Sequence, residues 1–172
     1  MANYINIGKL VATFGVKGEM ILKHSLGKKT ALKGLSCFFI ENPPGSFLPY
    51  FPIEPKAKSD TEVQLGIEGV DSKEKAVAYI QKQVWLTEDD FKKYVASTAP
   101  ISFIGFKVYD NGKLLGEVLE VIEQPHQVLC RIQYLTHDDI LIPLNEQSLS
   151  SIDTRNRRLL LNLPDGLIEA QI

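Results

Sequence analysis

The chain has little cysteine, little histidine and no long apolar run. Cys37 and Cys130 are its only cysteines in 172 residues. They stand far apart and fit none of the short Cys/His spacings of zinc sites, so both read as reduced, partly buried small hydrophobes, with a disulfide as the alternative. His24, His126 and His137 are scattered. No two of them share a ligand spacing such as i, i+4 on a helix, so no metal site is expected. His137-Asp138-Asp139 reads as a polar β-turn rather than an acid/base cluster, because Asp favours turns. No stretch approaches the roughly 20 apolar residues of a membrane span, and the opening MANYINIGKL lacks a basic segment followed by an apolar one. A cytoplasmic protein with no membrane role is expected.

Catalytic patterns are missing as well. Ser148, Ser150 and Ser151 lack a Gly-x-Ser-x-Gly elbow, and Cys130 falls inside an alternating strand pattern, which leaves no nucleophile in a usual setting. The region of Gly105 and Gly112 follows no phosphate-loop or dinucleotide pattern. An enzyme is not expected, and no cofactor is implied. A small hydrolase or metal enzyme would require a deep polar pocket with converging titratable groups.

What is present is an ordinary globular composition with an uneven charge distribution. A hydrophobic content of 44% and a charged content of 23%, without a long polar tract, are enough to bury a core. The formal net charge is −2. Yet residues 1–33 hold Lys9, Lys17, Lys23, Lys28, Lys29 and Lys33 against one acid, Glu19, a local charge of +5. All the lysines but Lys107 and Lys113 precede residue 95, whereas Arg131, Arg155, Arg157 and Arg158 all follow it. The excess of cations over the N-terminal segment suits an anionic partner.

The same position divides the chain. Ala96-Ser97-Thr98-Ala99-Pro100 is small, polar and ended by a proline, as a linker would be. Domains at 1–95 and 101–172 are therefore expected, joined by 96–100. In the first, strands are expected at Tyr4 to Ala12, Glu19 to His24, Ser36 to Ile40, Leu48 to Ile53, Glu62 to Ile67 and Val84 to Leu86. Pro43, Pro44, Pro49, Pro52 and Pro55 confine its middle to loop or edge strand, since proline cannot donate to a ladder. Asp71-Ser72-Lys73-Glu74 resembles a capping box opening a helix over about Ser72 to Gln81, and Thr87 can cap a second, Glu88 to Lys93. In the other domain, Phe106 to Tyr109 and Leu114 to Ile122 meet across Asn111-Gly112, a tight hairpin signal. Val128 to Tyr134, Ile140 to Pro143 and Arg158 to Leu163 follow, the last around the continuous apolar run Leu159-Leu160-Leu161. Short antiparallel strands at this density would expose edges unless each sheet curls, so two β-barrels in tandem are expected, with one or two short helices.

These residues carry a resemblance. Gly8-Lys9-Leu10-Val11-Ala12-Thr13-Phe14-Gly15-Val16-Lys17-Gly18-Glu19 resembles the N-terminal signature of the RimM family of ribosome maturation factors. Val63 to Asp90, with Glu68-Gly69-Val70-Asp71 before the helix and Val84-Trp85-Leu86 after it, is similar to the family's later N-domain segment. Ile104-Gly105-Phe106-Lys107-Val108, Ile140-Leu141-Ile142-Pro143-Leu144 and Leu163-Pro164-Asp165-Gly166-Leu167 resemble the opening, late strand and closing motif of its PRC-type barrel. The order and spacing of these motifs over nearly the whole chain are the specific part. The resemblance implies a translation-factor-like N-terminal barrel and a C-terminal PRC barrel in a non-catalytic assembly factor. Its partners would be the head of the immature small (30S) ribosomal subunit, 16S ribosomal RNA and the small subunit's nineteenth ribosomal protein, and a monomer would suffice. The family commonly has His-Gly where this chain has Phe14-Gly15. It also tends to carry an aromatic pair before the second barrel, where this chain has Pro100-Ile101-Ser102-Phe103.

Candidate contacts follow from both readings. Lys9, Phe14, Gly15, Lys17, Gly18, Lys23 and Lys28 are the candidates for RNA. Lys17 lies between two glycines that allow close backbone approach to a phosphate, or it is an ordinary solvated turn lysine. Phe14 can pack or stack. Phe103, Phe106 and Tyr109 are the candidates for a protein contact, the alternative being core or interdomain packing. Arg155, Arg157 and Arg158 can meet RNA or pair with Asp153. A rival reading is a PRC-barrel interaction module that does not act on RNA.

Overall fold

The computed structural model describes residues 3–97, 99–135 and 138–172. Thr98 of the expected linker and His137 of the expected polar turn lie outside them. The chain divides into two compact units, Met1–Ala99 and Pro100–Ile172, each mainly β.

The first unit contains β1 (Tyr4–Phe14), β2 (Glu19–His24), β3 (Phe38–Glu41), β4 (Phe47–Tyr50), β5 (Pro52–Ala57), β6 (Glu62–Ile67), helix α1 (Lys73–Val77), β7 (Gln83–Thr87) and helix α2 (Glu88–Tyr94). The sheet order is β4-β3-β7-β1-β2-β6-β5. Its two edges, β4 and β5, are consecutive in sequence and separated by Phe51 alone. Two residue steps reach at most about 7 Å, so the sheet must curl until its edges meet. This also corrects the expectation of one strand over Leu48 to Ile53. The backbone breaks at Phe51 because β4 pairs with β3 while β5 pairs with β6. Pro49, Pro52 and Pro55 all fall on these edge strands, where a missing N–H costs no ladder bond. Ile7, Leu10, Met20, Leu22, Val63, Leu65, Val84 and Leu86 fill the interior.

The helix expected over Ser72 to Gln81 is shorter than its pattern. Ser72 caps α1 by accepting from the Lys75 N–H at 3.3 Å, but the capping box is incomplete. Lys75 occupies the place of the box's carboxylate, and its ammonium pairs with Asp71 at 2.9 Å instead. Beyond Val77 the chain continues as successive turns to Gln81, which adopts φ 73 and donates its N–H to the Leu10 carbonyl at 2.6 Å. That bond aligns β7 beside β1 and ends the helix. Thr87 caps α2 by accepting from the Asp90 N–H at 3.2 Å. At the end of the unit, Ala96 donates to the Leu26 carbonyl at 2.8 Å, so this part of the expected linker is bonded to the first unit.

The second unit opens with a 3-10 turn, Pro100–Phe103, followed by β8 (Lys107–Asp110), β9 (Lys113–Gln124), β10 (Gln127–Tyr134), β11 (Ile140–Leu144), β12 (Leu149–Asp153) and β13 (Arg158–Leu161). The order is β11-β10-β9-β8-β13-β12, and β13 runs parallel to β8. Here too the two edges, β11 and β12, are consecutive, joined by a tight turn in which the Leu149 N–H donates to the Asn145 carbonyl at 2.9 Å. Asn111 (φ 50) and Gly112 (φ 82) form the expected β8–β9 hairpin. β12 is an addition to the expected strands. Phe103, Phe106, Val108, Leu115, Val118, Cys130, Ile132, Ile142, Leu159 and Leu161 make up most of the core.

Candidate nucleic-acid interface

The β1–β2 hairpin carries most of the candidate residues. Phe14 and Glu19 are the last ladder pair before the turn. Gly15 (φ 66) and Gly18 (φ 93) bracket Val16 and Lys17 in the left-handed conformation that glycine tolerates best. Gly18 has a second reason to be glycine, since a Cβ there would stand 2.4 Å from the Val70 carbonyl oxygen. The Val16 carbonyl accepts from the Lys73 N–H at 3.2 Å, tying the turn to the start of α1. The turn is therefore held from two sides while Lys17 on it is exposed.

Lys9 and Lys23 lie directly opposite each other across β1 and β2. Leu10 and Leu22, the adjacent pair, are buried, which places both lysines on the outer face. Like charges in this position repel. Lys23 faces Glu62 on its other side, yet among the described residues neither makes an ion pair. Lys28 lies beyond the far end of β2. Lys17 and Lys23 are separated by six residues, about 20 Å at strand spacing, so the candidates form a stripe along the hairpin rather than one pocket. Among the described residues, the ion pairs of the first unit are Lys75–Asp71, Lys92–Glu88 and Lys93–Asp90, all within or beside the helices. None of the six lysines of residues 1–33 takes part. Glu19, the only nearby acid in sequence, accepts from the Gln64 side-chain amide at 3.0 Å instead.

The structure adds a residue to this set. Lys58, the residue after β5, places its ammonium 5.2 Å from the centre of the Phe14 ring, within cation–π reach. Nothing local in the sequence signals this, because the whole of β2 to β5 separates the two residues.

The three candidates for a protein contact separate from one another. Phe103 and Phe106, each 7% exposed, are core residues of the second unit, with ring centroids 5.5 Å apart. Tyr109 is half-buried on β8, where register sets it between Leu160 on β13 and Leu114 on β9. Both leucines are exposed, so this row is an outward apolar strip. Arg158 sits 5.6 Å from the Tyr109 ring. Arg157 lies 5.5 Å from the Phe106 ring and donates to the Ile104 carbonyl at 3.1 Å. Asp153 pairs with neither arginine. It accepts from the Asn156 side chain at 2.8 Å and from its N–H at 3.0 Å, and these bonds hold its carboxyl below the usual range, with the charge of Arg158 adding to them.

Among the described residues, no three His, Cys, Asp or Glu side chains converge to hold a metal, and no helix is long and apolar enough to cross a membrane.

Comparison with known proteins places this geometry. A family model described as the RimM N-terminal domain matches residues 5–91, and one described as the RimM PRC barrel domain matches residues 100–167. The ribosome maturation factor RimM of Phocaeicola vulgatus is 32% identical over 172 aligned residues, covering 94% of this chain and 95% of its own. That of Parabacteroides distasonis is 31% identical, covering 95% and 94%. That of Clostridium acetobutylicum is 24% identical over 99% of this chain and 100% of its own. Both units are matched in order and nearly in full: the chain belongs to the RimM family.

Proposed function

We propose that the chain is a ribosome maturation factor that works without catalysis. It binds the head of the immature small ribosomal subunit and assists its maturation and the processing of its 16S ribosomal RNA. Binding one conformation of the subunit better than its alternatives is sufficient, since differential affinity alone shifts the population. The observation that carries this reading is the stripe of Lys9, Lys17, Lys23 and Lys28, exposed or half-exposed and, among the described residues, free of ion pairs in an otherwise acidic chain of this family. Unpaired cations on a rigid hairpin suit phosphate contacts, which position a protein on RNA.

The protein contact falls to the second unit. With Phe103 and Phe106 in the core, Tyr109 and its flanking leucines are the surface available to the nineteenth ribosomal protein of the small subunit. The chain acts as a cytoplasmic monomer.

Co-sedimentation with immature small subunits, complete subunits and whole ribosomes across a salt series tests the reading. Preferential binding to the immature particle, weakening steeply with salt, is expected. Equal binding to all three would refute it, and a stable non-ribosomal partner with no salt-dependent RNA binding would favour an interaction module instead.

A further inference from the structure

Phe14 is an aromatic ring left in solvent beside a cation. It is 42% exposed, although a ring serving only the fold gains most when it is buried. The backbone carrying it is fixed by the Phe14–Glu19 ladder pair, by the Lys73–Val16 hydrogen bond and by the close seating of Gly18 on Val70. Next to it, a Cβ on Gly15 would meet nothing within 4 Å, so the approach on that side is open. Lys58 lies against the ring and, among the described residues, makes no ion pair, while Glu19, across the ladder from Phe14, is engaged by Gln64 rather than by a lysine. An exposed ring on a held backbone, with a cation beside it that makes no ion pair, suits stacking of a nucleobase and contact with its phosphate.

We propose that Phe14 and Lys58 form a platform for one unpaired RNA nucleotide. The base lies on the accessible surface of the ring, Lys58 meets its phosphate, and Lys17, Lys9 and Lys23 follow the backbone along the hairpin. This rests on the RNA reading above and narrows its ligand to single-stranded or looped-out RNA. A base inside an A-form duplex is stacked on both faces and cannot use the ring.

The test is equilibrium binding of the full chain to a ten-nucleotide unstructured RNA and to a blunt RNA duplex, over a salt series. Phe14→Leu is expected to bind the single strand about tenfold more weakly, within the range for one lost stacking contact, and to leave duplex binding unchanged. Phe14→Tyr keeps the ring and stays near wild type. Lys58→Met lowers the salt slope on the single strand by about 0.7, one phosphate contact. If Phe14→Leu binds the single strand as tightly as wild type while salt-dependent binding persists, the platform is wrong and the lysine reading stands. Equal losses on strand and duplex would trace the effect to the turn and likewise overturn the platform. Wild-type protein with no salt-dependent RNA binding would remove both.

Discussion

The two units are built alike and treat their cations in opposite ways. Each is one sheet whose edge strands are consecutive in sequence, β4–β5 in the first and β11–β12 in the second. In the first unit the cations on the sheet and its loops are lysines that, among the described residues, make no ion pair. In the second, Arg131 is bound by Glu120 at 2.9 Å and Asp139 at 2.6 Å, and Arg157 and Arg158 lie against aromatic rings. The planar guanidinium forks around carboxylates and packs flat on rings, whereas an ammonium is a hydrated point charge on a flexible stem. Arg131, Arg157 and Arg158 fasten the surface of their own unit, whereas the lysines of residues 1–33 leave their charge available to something else.

The shared architecture can be broken at one glycine in each unit. A Cβ at Gly8 would stand 1.9 Å from the Lys23 carbonyl oxygen, and one at Gly116 would stand 1.8 Å from that of Gln133. Both glycines lie within long strands that bend between two partners, where a side chain would force the neighbouring strand away. Gly8→Ala and Gly116→Ala should each destabilise the protein by about 3 kcal/mol or more, at the upper end of overpacking costs. Denaturant unfolding followed by circular dichroism measures this, and an unchanged midpoint would show that the strands part freely.

The difference in cations makes the next prediction. Replacing Lys9, Lys17, Lys23 and Lys28 together by Gln should weaken binding to immature subunits about tenfold or more and flatten its salt dependence, because each lost phosphate contact removes roughly 0.7 to 0.9 from the slope. Replacing Arg155, Arg157 and Arg158 by Gln should change the slope less, since two of them are engaged within the second unit. Equal losses from the two sets would erase the contrast.

How much of this was legible in the sequence depended on whether the deciding contacts are local. The Asn111-Gly112 hairpin is, because two adjacent residues fix its positive φ values. The edge position of the prolines is, because a missing donor is a property of the residue. β12 is not. Leu149-Ser150-Ser151-Ile152-Asp153 is a largely exposed edge strand with a register shift at its pairing with β13, so it has no alternating pattern. The length of α1 was hidden because a distant carbonyl, that of Leu10, captures Gln81. For the candidate site, the lysines and glycines of the hairpin are visible as composition, whereas the Lys58–Phe14 contact depends on the curl of the sheet.

His24 gives a smaller effect confined to the first unit. It is 4% exposed, and its Nδ1 accepts from the Leu26 N–H at 3.2 Å, which requires the neutral ring. Burial lowers its pKa below the ordinary 6.5. An unfolded chain therefore binds a proton that the folded one refuses, so stability is full above pH 6.5 and falls as the pH drops below it. Unfolding monitored by Trp85, the only tryptophan, should show a lower midpoint at pH 5 than at pH 7. His24→Gln should reduce that difference, and an undiminished difference would assign it to the carboxylates.

The smallest expected effect compares the two cysteines, one in each unit. Burial pushes the Cys130 thiol up to about 12, leaving a thiolate fraction on the order of 10⁻⁴ at pH 8. Cys37 is half-buried, and its pKa is raised by burial and by the charge of Asp90. Alkylation of native protein at pH 8 should therefore modify Cys37 slowly, while Cys130 reacts only as fast as its unit opens. Adding denaturant should bring the two rates together, because the barrier at Cys130 belongs to the folded core and not to the residue. Rapid labelling of native Cys130 would mean that the β9–β10 pairing, which encloses it opposite Val121, opens far more often than a closed core permits.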